Sequence, residues 1–333
     1  MGRQGTQAVK AQLSVQGLRI RLPTAAGLVT VVDGVDYEIE TGQVFGIAGE
    51  SGSGKTISVL ALLGLLPDGA QVEGKALFDG RDLLQLNRRS LRDVRGAEIA
   101  MVFQDPMTSL HPMLTIERQL TEHVRFHLGL SAAQARERGA ELLHEVRIPD
   151  PDSALGAYPH QFSGGMRQRI AIAIALACRP RVLIADEPTT ALDVTVQAGI
   201  LRLLDDLRRQ SGLSVVMITH DLGVMSSIAD WLTVMYAGRV VESGRTGDVL
   251  SRPRHPYTAG LLAALPHPEA AEDTPLRSIK GSPPAPQARP DGCAFHPRCQ
   301  YAVSSCSVDV PDLARIGDDR RLACPVDPLA VPV

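Results

Sequence analysis

Gln43-Val44-Phe45-Gly46-Ile47-Ala48 followed by Gly49-Glu50-Ser51-Gly52-Ser53-Gly54-Lys55-Thr56 is the stretch that decides the fold. A short apolar strand runs into a glycine-rich turn, and Thr56 to Leu66 then reads as a helix. Strand, loop and helix in that order open an α/β nucleotide domain. Residues 49 to 56 fit the pattern G-x-x-x-x-G-K-[ST]. The chemistry needs this spacing. Glycines at 49, 52 and 54, with Ser51 and Ser53 between them, let the backbone curl until its N–H groups point at phosphate oxygens. The helix start adds the positive end of its dipole. Lys55 is placed to reach the β- and γ-phosphates, and the Thr56 hydroxyl to ligate Mg²⁺. A glycine-rich turn with an incidental lysine is the bland alternative, and the flanking strand and helix argue against it.

Working outward, Leu13 to Glu40 alternates short apolar pieces with the turn residues Gly27, Asp33-Gly34 and Thr41-Gly42, a pattern of antiparallel strands. Gln71 to Asp79 and Glu98 to Phe103 read as further strands. Between about residues 107 and 177 the periodicity is mostly helical, as in Ser131 to Val146. Val182 to Ala185 is a buried parallel strand, Val194 to Arg209 a helix, Ser214 to Thr219 a strand and Leu222 to Ile228 a short helix. Leu232 to Tyr236 and Arg239 to Glu242 form a hairpin around Ala237-Gly238. After Leu250 the composition shifts. Ser282 to Pro290 holds four prolines in nine residues and reads as an extended connector.

The 333 residues, 44% hydrophobic and 21% charged, describe an ordinary globular chain. A net charge of −3 supplies no broad basic field, so nucleic acid is not an expected partner. The longest continuous apolar run, Ile170 to Cys178, is half of the about 18 residues a membrane span requires. The expectation is a cytosolic protein.

Val182-Leu183-Ile184-Ala185-Asp186-Glu187 is an apolar strand ending in two acids. Downstream of a phosphate loop, Asp186 is expected in the Mg²⁺ shell and Glu187 on the attacking water. A solvated strand end is the alternative. Further back, Tyr158-Pro159-His160-Gln161-Phe162-Ser163-Gly164-Gly165-Met166-Arg167-Gln168-Arg169 places Ser163-Gly164-Gly165 at the start of a helix, either a second anion-binding start or a plain cap.

Taken with the two motifs above, this last stretch strongly resembles the ABC-transporter signature. The resemblance implies an α/β ATPase fold of the P-loop type, with a mainly parallel sheet, an antiparallel β edge and a helical subdomain at about 107–177. It implies ATP as the nucleotide. It makes Gln104 the loop glutamine that touches Mg²⁺, Asp193 the loop aspartate at a dimer interface, and His220 the switch histidine at the γ-phosphate. In the family two such subunits sandwich two ATPs, with Ser163 to Gly165 of one facing the phosphate loop of the other.

Gln104-Asp105-Pro106-Met107-Thr108-Ser109-Leu110 with Pro112, then His255-Pro256-Tyr257-Thr258, and finally Cys293-Ala294-Phe295-His296-Pro297-Arg298-Cys299 resemble the oligopeptide/dipeptide importer branch. This resemblance implies an ATP-hydrolysing subunit powering import of small peptides from the cytoplasmic face of the membrane. It also implies a second, different ATPase chain as dimer partner, two permease chains and an extracytoplasmic binding protein. Nickel or another small solute is the runner-up cargo, and a non-transport ABC ATPase acting on DNA or ribosomes the distant rival. His111 stands where this branch often has Asn, and Met166 where the wider superfamily has Gln. No aromatic lies between Leu18 and Val31 to stack on a base, leaving Leu22 or Val31 as an apolar contact. The chain divides as an ATPase domain over 1–250 and a C-terminal extension over 251–333.

Cys293, Cys299, Cys306 and Cys324 are separated by five, six and seventeen residues. Four thiolates hold either tetrahedral Zn²⁺ or a [4Fe–4S] cluster. Zinc sites favour tight ligand pairs, absent here, although His296 offers a further zinc ligand. The resembled branch carries a cluster-binding cysteine set at this place, which favours iron–sulfur; four unligated cysteines are the bland alternative.

Overall fold

Successive side chains of a strand point to opposite faces of its sheet, and the central strands of this chain are apolar on both. The computed structural model describes residues 11–326 apart from 26, 106–108, 191, 266–277 and 318. The expected loop residues Pro106, Met107 and Thr108 and the residue before Leu192 therefore lie outside the described residues. In chain order, β1 (Ala11–Thr24) and β2 (Gly27–Glu40) form a hairpin, β3 (Val44–Ala48) leads into α1 (Lys55–Leu62), and β4 (Gln71–Phe78) and β5 (Arg81–Asp82) follow. After α2 (Arg88–Val94) and β6 (Ile99–Val102) comes a helical stretch: α3 (Ile116–Leu128), α4 (Ala132–Glu145), α5 (Pro151–Gly156) and α6 (Gly164–Leu176). The chain then runs through β7 (Val182–Asp186), α7 (Val194–Ser211), β8 (Ser214–Thr219), α8 (Leu222–Ile228), β9 (Trp231–Tyr236) and β10 (Arg239–Arg245). It ends with α9 (Thr246–Ser251), α10 (Pro256–Ala263), β11 (Ala314–Arg315) and β12 (Arg320–Leu322).

Among the described residues these strands form an antiparallel sheet of order β2-β1-β4-β5 and a larger one of order β11-β12-β10-β9-β3-β8-β7-β6. Strands β9, β3, β8, β7 and β6 are parallel. Beyond them β10, β12 and β11 continue antiparallel. Phe45, Ile47, Val182, Ile184, Val216 and Ile218 turn one face of the large sheet towards α1 and the antiparallel sheet. Val44, Leu183, Ala185, Val215 and Met217 turn the other towards the helices. The parallel strands thus read as continuous apolar runs because both faces are covered.

Two details differ from the expectation. The first helix ends at Leu62 rather than Leu66, because Gly64 takes φ +58° just beyond it. The chain end also supplies two unforeseen strands. β12 pairs with β10 through Glu242↔Leu322 and Gly244↔Arg320. Its three residues, Arg-Arg-Leu, carry no apolar alternation to announce a strand. Tyr257 and Phe295, from residues after 250, share a buried cluster with the central strands.

Candidate nucleotide site

The phosphate loop follows β3 directly. Two of its glycines are required by geometry. Gly49 sits at φ +146°, and a Cβ there would lie 2.2 Å from the Met235 carbonyl oxygen. Gly54 caps α1 in the left-handed region at φ +97°, with no side chain accepting from the helix start. The first N–H groups of α1 are thus left without a side-chain cap, as an anion-binding helix start requires. Ser51, Gly52 and Ser53 complete the curl, and Ser53 N–H donates to the Glu50 carbonyl at 3.2 Å.

Lys55 is buried, and its ammonium donates to the carbonyls of Gly49 and Glu50 at 2.7 and 3.0 Å. Burial lowers its pKa, partly offset by the charges of Glu187, Asp186 and Glu50. Thr56 Oγ1 donates to Asp186 Oδ1 at 3.0 Å. Asp186, at the end of β7, is buried. That burial raises its pKa, and the Glu187 charge adds to the rise while Thr56 and Lys55 oppose it. Hydroxyl and carboxylate oxygens side by side are the hard donors that suit Mg²⁺, and a cation here would relieve the cost of the buried carboxylate.

Glu187 follows with φ +46°, a left-handed conformation unusual outside glycine and asparagine. Its N–H donates to the Ile218 carbonyl at 2.8 Å, tying it to β8. Its carboxylate accepts from Gln104 Nε2 at 2.8 Å and Thr190 Oγ1 at 2.9 Å, and His220 Nδ1 lies 3.1 Å away. Burial opposes its ionisation, but the bonds from His220 and Thr190 and the charges of His220 and Lys55 prevail, holding the carboxyl below its ordinary range. The strand ends of β6, β7 and β8 thus bring Gln104, Asp186, Glu187 and His220 to the phosphate loop.

The remaining expected site residues lie apart. Ser163 caps α6, accepting from Met166 N–H at 3.3 Å, and Asp193 caps α7, accepting from Val196 N–H at 2.9 Å. These two helix starts touch each other. A Cβ on Gly165 would lie 2.6 Å from Val196 Cγ1, and one on Gly164 3.7 Å from Leu192 Cδ2. Among the described residues, no hydrogen bond joins Ser163, Gly164, Gly165 or Asp193 to the phosphate loop.

The four late cysteines share one neighbourhood. Cys306 is buried, the other three partly so, and the Cys293 N–H donates to the Cys306 carbonyl at 2.8 Å. Burial above all, with the neighbouring cysteines adding to it, raises the thiol pKa values of Cys293, Cys299 and Cys324, the last to about 11. Among the described residues no three His, Cys, Asp or Glu side chains close around a point that could hold a single metal ion. His296 Nδ1 lies 3.0 Å from the Cys293 carbonyl oxygen.

Sequence reasoning missed three members of this region. Thr190 gave no signal as a partner of Glu187. Tyr257 and Arg298 did lie inside quoted motifs, but only the fold shows that both reach Glu50.

The ABC transporter family model matches residues 32–190, and the model described as oligopeptide/dipeptide transporter, C-terminal region, matches residues 241–306. The oligopeptide transport ATP-binding protein OppD of Salmonella typhimurium is 45% identical over 328 residues, covering 98% of this chain and 97% of that protein. The dipeptide transport ATP-binding protein DppD of Escherichia coli is 46% identical over 316 residues, covering 94% and 96%. Among solved structures, the dimeric bacterial ABC transporter cassette MJ0796 aligns with a TM-score of 0.63 and 28% identity, over 70% of this chain and 98% of that one. The chain belongs to the ABC transporter family of ATP-binding subunits, in its oligopeptide/dipeptide branch, and couples ATP hydrolysis to transport.

Proposed function

We propose that this subunit drives uptake of small peptides through two permease chains fed by an extracytoplasmic binding protein, working at the cytoplasmic face of the membrane beside a second, different ATPase chain. The relatives named for oligopeptide and dipeptide transport support the cargo, since they match nearly the whole chain. No helix among the described residues is long and apolar enough to cross a membrane.

One observation carries the chemical reading: the Glu187 carboxylate, held ionised by Thr190 and His220 and fixed by Gln104, stands beside Lys55 and the Thr56–Asp186 pair. In this reading the loop from Gly49 to Thr56 binds the triphosphate, with Ser51, Gly52, Ser53 and Gly54 presenting N–H groups and Lys55 balancing the β- and γ-phosphate charge. Thr56, Asp186 and Gln104 supply oxygens for Mg²⁺, which when bound neutralises developing charge on the phosphates. Glu187 orients the attacking water and takes its proton as the water oxygen bonds to the γ-phosphorus and the bond to the β–γ bridging oxygen breaks. His220 donates to the γ-phosphate. Ser163, Gly164, Gly165 and Asp193 serve the triphosphate of the partner ATPase. Co-purification from detergent tests the assignment: permease chains retained with the subunit support it, and ribosomes or DNA in their place overturn it.

The five, six and seventeen residues that separate Cys293, Cys299, Cys306 and Cys324 include no tight ligand pair of the zinc kind. Those long, unequal loops, together with the resemblance to the importer branch, favour a [4Fe–4S] cluster over one Zn²⁺ as the resident group in this reading. Anaerobic purification with iron and acid-labile sulfide analysis decides it: about four irons per chain are expected for a [4Fe–4S] cluster, whereas zinc without iron overturns the assignment.

A further inference from the structure

Glu50 is the second residue of the phosphate loop, and its N–H and carboxylate are held from far along the chain. Its N–H donates to Tyr257 Oη at 2.8 Å. Its carbonyl accepts from Lys55 Nζ at 3.0 Å. Its carboxylate is gripped by both terminal nitrogens of Arg298, at 2.7 and 3.0 Å, the forked geometry that suits arginine. Two of these three holds come from the chain after residue 250.

Arg298 is itself fixed. Its side chain is only 6% exposed. Nε donates to the Lys280 carbonyl at 3.0 Å and Nη2 to that of Gly281 at 3.2 Å, while Nη1 reaches Tyr236 Oη at 3.3 Å. The guanidinium lies over the rings of Tyr236 and Phe295, which pack with Tyr257 in a buried aromatic group. Its pKa is raised, by Glu50 above all.

The charges explain why such a clamp is needed. A carboxylate inside a phosphate-binding loop opposes the anion the loop must receive. Glu50 is also one of three acids whose field is felt at Lys55. Unpaired, it would compete with the triphosphate for that ammonium; paired with Arg298, its charge is neutralised and its side chain is tied to the chain beyond residue 250.

We propose that Arg298, reaching out of the cysteine-bearing segment, is a positioning residue of the ATPase site that neutralises and fixes Glu50 so that the phosphate loop is set for nucleotide. The proposal rests on the phosphate-loop reading given above and extends it to a residue far along the chain.

The experiment compares Arg298→Ala, Arg298→Lys and the double variant Glu50→Gln/Arg298→Ala in the full-length chain, with Lys55→Ala alongside. ATP hydrolysis gives KM and kcat, and thermal unfolding monitors the fold. Arg298→Ala is expected to raise KM for ATP about tenfold, within the usual coupling between residues in contact, with a smaller change in kcat. Arg298→Lys, which keeps the charge but loses the fork, should fall between. Replacing Glu50 as well should recover most of the loss, because the uncompensated carboxylate is gone. A rise in KM that persists in the double variant overturns the proposal, since Arg298 would then serve only the fold. So does an unchanged KM in Arg298→Ala and Arg298→Lys while Lys55→Ala raises it. If Lys55→Ala also leaves KM unchanged, the phosphate-loop reading falls, and the proposal with it. Should Arg298→Ala not fold, Arg298→Lys against the double variant separates the same two outcomes.

Discussion

Two helices of this chain begin in turns of serine and glycine, and they are built in opposite ways. α1 starts from a left-handed Gly54 with no side-chain cap, and its first residue, Lys55, is buried with its ammonium turned back onto the loop. α6 starts from Ser163, which caps its own helix through Met166 and is exposed to solvent. Around α1 the chain converges on the loop, through Met235, Tyr257 and Arg298. At the start of α6, Gly164 and Gly165 face Leu192 and Val196 at the neighbouring start of α7. Similar composition therefore yields two different helix starts: one without a side-chain cap, and one already capped by its own serine.

The contrast is tested first where it is strongest. If the chemistry belongs to the α1 side, Glu187→Gln should keep ATP binding and slow turnover by about 10²–10⁴-fold, the usual worth of a general base. Hydrolysis at near the parent rate would remove Glu187 from the mechanism. Because its carboxyl is held below the ordinary glutamate range, the base should stay ionised throughout the neutral region. Activity governed by Glu187 should then fall only in acid, as pH drops through that depressed value. Next in size, Lys55→Ala should weaken ATP binding by about 10- to 100-fold through loss of charge-assisted bonds to phosphate. Titration with a fluorescent nucleotide measures it directly.

On the α6 side the expected loss is selective. On the proposed reading, Ser163→Arg places a long cation where a partner's triphosphate would dock. ATP-driven dimerisation, followed by size-exclusion chromatography with light scattering, should disappear, while the monomer's affinity for ATP stays within about twofold because the pocket lies elsewhere on the chain. Equal loss of both would show that Ser163 only supports the fold.

The same contrast shows what the sequence could reveal. The α1 loop was legible because its geometry is local: spacing alone sets its glycines, Lys55 and Thr56 into one turn between β3 and α1. Asp186 and Glu187 were legible once a strand was seen to end there. The parallel strands were easy to read because both faces are apolar, as in Val182 to Ala185. Long-range contacts left no such trace. Arg298 meets Glu50 across 248 positions, and neither residue type at either place announces the other. β12 is equally silent, because three residues rich in arginine become a strand only by pairing with β10. The separation of Ser163 from Lys55 is likewise a tertiary fact, since both motifs read as anion-binding helix starts when taken alone.

The smallest effect sharpens the comparison most. Among the described residues the Ser163 hydroxyl accepts a bond from Met166 N–H at the start of α6. Loss of such a cap costs about 1 kcal/mol when serine becomes alanine and only a few tenths when it becomes glycine. Ser163→Ala should therefore lower stability to chemical denaturation by about that first amount, and Ser163→Gly should barely move it. Neither change adds bulk, so neither blocks docking as arginine does, but both remove the hydroxyl. If ATP-driven dimerisation weakens equally in the two variants while stability falls in only one, the hydroxyl acts on the partner's triphosphate. If dimerisation follows stability, weakening in Ser163→Ala and holding in Ser163→Gly, the contribution of Ser163 is that of a cap, and the docking role must rest with Gly164, Gly165 and Asp193.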